Sequence, residues 1–146
     1  MEQIECIANW VTIFGLPIAI FTLVLGMINI RQSKIIEQGK FLIELRKMFP
    51  EHDNIHFKFR PEGEWRIGQI PNDNETWAKI DAYLGLFELC EILIENNSLS
   101  EVHFKAQYEY RLKNILANNQ VRTIKLVHEQ EYWSYLIKLK ERMKIE

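Results

Sequence analysis

Cysteine is scarce in this chain of 146 residues, which contains only Cys6 and Cys90. Cys6 begins a long apolar run, and Cys90 lies in an apolar stripe at helical spacing. If the apolar run crosses a membrane, the two cysteines lie on opposite sides of it or at different depths, and they cannot pair within one chain. A disulfide scaffold is therefore excluded, and Cys90 is expected to serve as a small hydrophobic residue.

The common motifs of catalytic and metal sites are also missing. The sequence has no P-loop, no zinc-ligand spacing, no EF-hand pattern and no Ser-His-Asp order. His52, Asp53 and His56 are close in sequence, but no further ligand accompanies them, so we expect them to face solvent. The sequence predicts no metal and no cofactor.

There is no excess of positive charge. The chain has 18 Lys and Arg against 20 Asp and Glu, and the net charge of −2 comes from Glu2 and Glu5. A domain that binds nucleic acid usually has a clear basic excess, so direct nucleic-acid binding is not expected. The basic residues that follow the apolar run, from Arg31 to Lys47, are expected to face anionic lipid head groups.

Charge is absent altogether from Cys6 to Ile30, a run of 25 mostly apolar residues. About 20 such residues suffice for a helix to cross a bilayer. The acidic residues before the run and its length are not typical of a cleaved signal peptide. The sequence predicts one retained membrane span, with the N-terminal tail outside and the basic flank and remaining domain in the cytoplasm.

Small and polar residues within the predicted span follow a heptad pattern. They are spaced 4, 3, 4, 3, 4 and 3 residues apart: Ala8, Thr12, Gly15, Ala19, Thr22, Gly26 and Asn29. We call these seven residues the seam. In lipid, small residues allow close backbone packing, and Thr and Asn allow hydrogen bonds between helices. The seam predicts a homo-oligomer, against the alternative that small residues are simply common in spans.

The predicted fold is mainly all-α. Four regions follow from the patterns: an extracytoplasmic tail and transmembrane helix (1–30), a juxtamembrane helix (31–50), a loop or hairpin (51–75) and a cytosolic helical bundle (76–146). Alternation at Ile55, Phe57 and Phe59 favours a small β-hairpin at about 55–70, with an ordered loop as the equal alternative.

The bundle is predicted to contain three or four amphipathic helices, and the patterns define three of them. The first is capped by Asn72 or Asn74 and ends near Glu95, with Asp81, Glu88, Glu91 and Glu95 on its polar face. The second begins after Ser100 and carries Phe104, Tyr108, Leu112 and Ile115 on its inner side. The third is one helical pattern from Val121 to Met143, whose apolar positions include Val127 and Tyr132.

Arg122 and His128 are separated by five residues late in the bundle. This spacing resembles the signature of HEPN ribonucleases. The resemblance implies that the His acts on a 2′-hydroxyl and that the Arg stabilises the charge of the phosphate. Thr123 replaces the Asn that commonly follows the Arg. Six positions also place the two side chains about 120° apart on a straight helix. We therefore predict no enzyme activity. Arg122 and His128 are weak catalytic candidates.

The span with its seam, followed by a HEPN-like helical domain, resembles the small membrane accessory proteins of type VI-B CRISPR systems. The resemblance implies an oligomeric pore in the bacterial inner membrane that supports an RNA-guided nuclease in antiviral defence. The segment from Tyr83 to Glu88, followed by Leu99 and Arg111, is similar to many one-span bacterial proteins.

Three hypotheses follow. The chain is a self-assembling membrane pore whose functional partner is an RNA-guided nuclease, a membrane-tethered ribonuclease acting through Arg122 and His128, or an inert anchor that recruits a cytosolic partner. The expected partners under the first hypothesis are other copies of the chain and membrane lipid.

Overall fold

The computed structural model describes the backbone of residues 2–145 and the side chains of residues 21–145. These residues form helices and connecting turns, with no strand among them, which confirms the mainly all-α fold. The helices are α1 (Glu2–Glu51), α2 (Asp53–Phe59), α3 (Asn74–Glu95), α4 (Glu101–Leu116), α5 (Asn119–Val121), which continues into a π-helical turn (Arg122–His128), and α6 (Ser134–Arg142).

The chain divides into two units, Met1–Glu37 and Gln38–Glu146. The first unit is a stretch of α1. The second contains the end of α1, the other helices and the apolar core. Helix α1 continues through residues 30 and 31 without a break, as predicted for the span and the juxtamembrane helix, and it ends one residue after Pro50.

The predicted β-hairpin at about 55–70 is wrong. Residues 53–59 form α2, in which Ile55 and Phe59 are buried four positions apart while Phe57 is 52% exposed. Three alternating apolar residues are too few to distinguish a strand from a short helix. The segment is helical because a helix lets Ile55 and Phe59 pack against the bundle from one side. The ordered-loop alternative holds for residues 60–73, where the amide of Asn118 donates to the backbone carbonyl of Trp65 at 2.6 Å.

Helices α3 and α4 form the centre of the core. The cap of α3 is Asp73, whose carboxylate accepts a hydrogen bond from the Thr76 amide at 2.8 Å, so the predicted caps Asn72 and Asn74 are wrong by one residue. Helix α4 begins after Ser100 as predicted. Its four predicted inner residues are all buried, as is Cys90 in α3.

The predicted single helix from Val121 to Met143 is interrupted. The π-helical turn ends at His128, a turn follows, and α6 begins at Ser134. Val127 and Tyr132, expected to face inward, are 62% and 80% exposed, whereas Lys125 is buried. A buried ammonium needs partners, and the wider turn places Lys125 against two carboxylates.

One of these carboxylates, Asp81, belongs to the acidic row that was predicted as the polar face of α3, and the other is Glu129, four residues after Lys125. The four members of the row all take partners in the C-terminal segment: Asp81 pairs with Lys125 at 2.8 Å, Glu88 accepts from the Leu136 amide at 3.3 Å, Glu91 pairs with Arg142 at 2.6 Å and Glu95 pairs with Lys138 at 3.0 Å. Glu91 is fully buried. The polar face of α3 is therefore the surface on which α6 packs.

Candidate functional site

The seam lies only partly within the described side chains. Ala8, Thr12, Gly15 and Ala19 lie outside them, and so does most of the predicted span. Thr22, Gly26 and Asn29 are exposed on α1. A Cβ added at Gly26 would meet no atom within 4 Å, so the helix surface at this position is open.

The described part of the first unit carries large apolar side chains around most of the circumference of α1, apart from the side occupied by the seam. From residue 21 to residue 36 the exposed ones are Phe21, Leu23, Val24, Leu25, Met27, Ile28, Ile30, Ile35 and Ile36. Successive residues point about 100° apart around a helix, so Leu23, Val24 and Leu25 alone cover most of its circumference. We call these nine side chains the exposed apolar segment; the polar residues 31–34 divide it. A helix surface that is apolar over most of its circumference is typical of a helix that is covered by protein or by lipid.

Within the described residues, no helical segment is both long enough and apolar enough to cross a bilayer.

Arg122 and His128 occupy the two ends of the π-helical turn. Arg122 is half-buried and lines a groove with Leu126, Val127 and residues of α6, while His128 is exposed and does not line that groove. The structure therefore does not join the two side chains in one cavity, and a ribonuclease site within one chain has no geometric support here.

The expectation that His52, Asp53 and His56 face solvent is wrong for His56, which is 2% exposed. No group of three His, Cys, Asp or Glu side chains in the described part of the chain could hold a metal ion. His56 instead lies with its Nδ1 3.2 Å from the hydroxyl of Tyr83, and the ring of His52 stacks on Tyr83.

Arg111 completes this polar cluster from α4. Its Nη2 pairs with Asp53 at 2.8 Å, its Nε donates to the Tyr110 hydroxyl at 3.1 Å and its Nη1 donates to the Phe49 carbonyl at 3.5 Å. Arg111 thus ties the end of α1 and the start of α2 to α4. Together with Asp53, His56, Tyr83 and Tyr110, Arg111 forms one polar cluster beside the core.

Burial sets the protonation states in the cluster. Burial first, and then the charges of Arg111 and Arg60, lower the pKa of His56 to about 4, so this imidazole is neutral at pH 7. Burial also raises the pKa of Tyr83. Burial disfavours the charge of Arg111, but the hydrogen bond to Asp53 and the interactions with Tyr83 and Tyr110 together outweigh it and leave the pKa of Arg111 raised. The neutral His56–Tyr83 pair beside a charged Arg111 therefore holds α2 in place.

Tyr83 and Arg111 were named in the sequence analysis because they belong to the pattern that is similar to one-span bacterial proteins. The sequence did not predict which residues they contact. The partners Asp53 and His56 lie far from both in sequence, and no local periodicity connects them. The one signal in the sequence was the polar residues His52, Asp53 and His56 next to the alternating apolar residues. This signal suggested a solvent-exposed loop instead of a buried cluster.

Comparison of the chain with protein-family models, curated proteins and solved structures finds no match. Any function must therefore be argued from the residues themselves.

Proposed function

We propose that this protein is a single-pass membrane protein that assembles with copies of itself through α1, with the helical domain in the cytoplasm. The observation that carries this proposal is the exposed apolar segment. Within the described residues its large side chains are 43–68% exposed, and they cover most of the helix circumference rather than one stripe. Lipid, other copies of α1 or both must cover them.

The energy at stake is large. Burying one large aliphatic or aromatic side chain is worth about 1.5–3 kcal/mol, so the nine side chains of the segment, each already partly covered, represent more than about 5 kcal/mol. That is comparable to the total stability of a small domain, about 5–15 kcal/mol. A single copy in water would therefore associate or aggregate.

Self-association is supported by the seam. Leu and Ile gain little when they leave lipid for another helix, whereas small residues gain close packing. Gly26 leaves an open surface where the backbone of a second helix can approach. The heptad spacing would keep this surface on the partner along the whole span.

The physiological role that we propose for the assembly is a membrane pore that acts as an accessory effector in bacterial CRISPR antiviral defence. This role is supported by the resemblance of the architecture, and of the Arg122 and His128 spacing, to the small membrane accessory proteins of type VI-B CRISPR systems. A membrane-tethered ribonuclease and an inert anchor are the two alternatives. The separate surroundings of Arg122 and His128 favour the pore over the ribonuclease.

The decisive experiment replaces a seam glycine by leucine. In Gly26→Leu the added Cβ meets no described atom of its own chain within 4 Å, so we expect the effect to report on a neighbouring helix. Gly39→Leu is the matched control, because Gly39 also lies on α1 with no atom within 4 Å of a Cβ but is not a seam residue. Both changes raise helix propensity by a similar amount, about 1 kcal/mol.

We expect Gly26→Leu to stay in the membrane fraction, to have a smaller mass in detergent by light scattering, and to lose ion leakage from liposomes. Gly39→Leu should keep the wild-type mass and leakage. A Gly26→Leu protein with the wild-type mass would show that the seam is not an interface. A wild-type protein that is oligomeric but never leaky would support self-assembly and refute the pore.

The orientation has its own test. The basic residues after Ile30 predict a cytoplasmic domain, so a C-terminal tag should resist protease added to intact spheroplasts and be digested after lysis. Digestion without lysis would contradict the orientation.

A further inference from the structure

The heptad spacing of the seam does not end at Asn29. Intervals of 4, 3, 4, 3 and 4 residues lead from Asn29 to five further positions: Ser33, Ile36, Lys40, Ile43 and Lys47. We call these five residues the seam extension; Gly39 is not among them. Alternating intervals of three and four residues define the a and d positions of a heptad, which stay on one side of a helix over many turns.

The second unit leaves its part of the seam extension uncovered. At about 100° per residue, Lys40, Ile43 and Lys47 point about 100–180° away from the α1 residues that pack on the core, which are Leu42, Leu45 and Phe49. Ile43 is 55% exposed, and both lysines are exposed as well. Among the described residues, the bundle therefore covers one side of this part of α1 and leaves the opposite side open.

The residue types at the heptad positions change where the apolar run ends. Up to Ser33 these positions hold small or polar residues, and after it Ile36 and Ile43 occupy every second one. In lipid, Leu and Ile gain little from contact with another helix, so small residues favour association. In water, large aliphatic residues at heptad positions favour association because they leave water. Each part of the heptad thus carries the residues that favour helix pairing in its own surroundings.

The charges beside the exposed isoleucines suit a second copy of the same helix. Glu37 follows Ile36 directly and Glu44 follows Ile43, so two carboxylates accompany Lys40 and Lys47 along this side of α1. Lys47 pairs with Glu44 of its own chain at 2.9 Å, and both side chains are exposed enough to exchange partners. A surface with both charges is complementary to itself and has no net attraction to anionic lipid. Arg31 and Lys34, which are not in the seam extension, stay available for lipid head groups.

We propose that the interface between copies continues from the seam into the second unit, as a parallel coiled coil in which Ile36 and Ile43 pack against the same residues of a second copy. The inference rests on the proposed membrane assembly, which inserts all copies in one direction and makes their α1 helices parallel. A Lys at a heptad position lowers stability but fixes register, as Lys40 does here. Two isoleucines per helix are few, so the extension depends on the span to bring the helices together.

Cysteine cross-linking in isolated membranes tests the proposal on the full-length chain. In a Cys6→Ser background, Ile43→Cys should form disulfide-linked dimers with copper phenanthroline, because facing heptad positions bring the two thiols within bonding distance. The native Cys90 can stay, since it is fully buried. Met48→Cys is the matched control, because Met48 is also exposed on the second unit's part of α1 but points about 140° away from Ile43. It should cross-link at least about tenfold less.

The outcomes separate this inference from the proposed function. Equal cross-linking at the two positions would indicate random collisions and overturn the inference. If the wild-type protein is oligomeric by light scattering and Ile43→Cys does not cross-link, lipid or another protein covers this side of α1. That result would overturn the inference and leave assembly through the span in place. A monomeric wild-type protein would overturn both.

A second variant measures what the exposed isoleucine contributes. Ile43→Gln should raise the dissociation constant of the oligomer in detergent about tenfold, since it removes an aliphatic side chain from the interface. Its thermal midpoint should change little, because Ile43 is not part of the core. Val102→Gln is the control, because Val102 is β-branched and 73% exposed but lies on α4. An equal effect of the two variants on the dissociation constant, or no effect of either, would overturn the inference.

Discussion

The buried ion pair between α3 and α6 gives the sharpest prediction on stability. Glu91 is fully buried, and Arg142 donates to it through Nε at 2.9 and 3.1 Å and through Nη2 at 2.6 Å. Arg142→Met keeps an unbranched apolar stem but leaves the carboxylate buried without its partner. Breaking a buried pair in this way costs about 3–5 kcal/mol. Because 32% of the Arg142 side chain is exposed, we expect the lower end of this range.

The loss should be concentrated in α6, which is held by this pair near the end of the chain. Hydrogen exchange of residues 134–142 in the full-length protein measures the local opening directly. A cost of about 3 kcal/mol corresponds to protection that is lower by about two orders of magnitude. Lys138→Met is the control, because its pair with Glu95 is largely exposed and should contribute less than about 1 kcal/mol.

A double variant distinguishes a lost interaction from a stranded charge. Glu91→Leu/Arg142→Met removes both charges, and hydrophobic replacement of a buried pair is often neutral or stabilising. It should therefore recover most of the protection that Arg142→Met loses. If Arg142→Met behaved like Lys138→Met, or if the double variant were the least protected, the reasoning about the buried carboxylate would be refuted.

Three further predictions concern the rest of the domain. Burial, then Arg111 and Arg60, lower the pKa of His56 from 6.5 to about 4, so only the unfolded chain gains this proton between the two values. Stability should therefore fall as the pH decreases from about 6.5 to about 4, and pH-dependent unfolding of His56→Gln should show a flatter slope. Asn118→Ala leaves the Val121 amide and the Trp65 carbonyl without a partner and should cost about 2 kcal/mol in denaturant unfolding, whereas Asn119→Ala, an exposed neighbour, should cost far less. Purified protein should not cut RNA, and a cleavage activity lost in His128→Ala would contradict this expectation.

The all-α class and the inner faces of two helices could be predicted from the sequence. The buried positions of α4, at Phe104, Tyr108, Leu112 and Ile115, recur every three or four residues, and so do those of α3. Such a pattern arises because a helix hides one side from water whatever it packs against. The continuity of α1 past residue 30 was predictable for a similar reason, since no helix-breaking residue occurs between residues 31 and 49 except Gly39.

The polar side of the fold could not be predicted in this way. The sequence predicted the polar face of α3 but not its partners, and each of its four acidic residues finds one between residues 125 and 142: Asp81, Glu88, Glu91 and Glu95. Whether a charge is buried depends on a counter-charge that the fold delivers from elsewhere, and periodicity along one helix carries no information about it.

The same limit applies to the candidate sites. The sequence alone determined where charge is absent, which residues form the seam and where α4 begins, because these properties are local. Tertiary structure decided that His56 is buried and neutral, that Arg111 reaches Asp53, and that Tyr108 keeps an unpaired hydroxyl beside Arg46. The desolvation of a polar group is set by all of the chain that surrounds it, so these properties exist only after α1, α2, α3 and α4 have packed together.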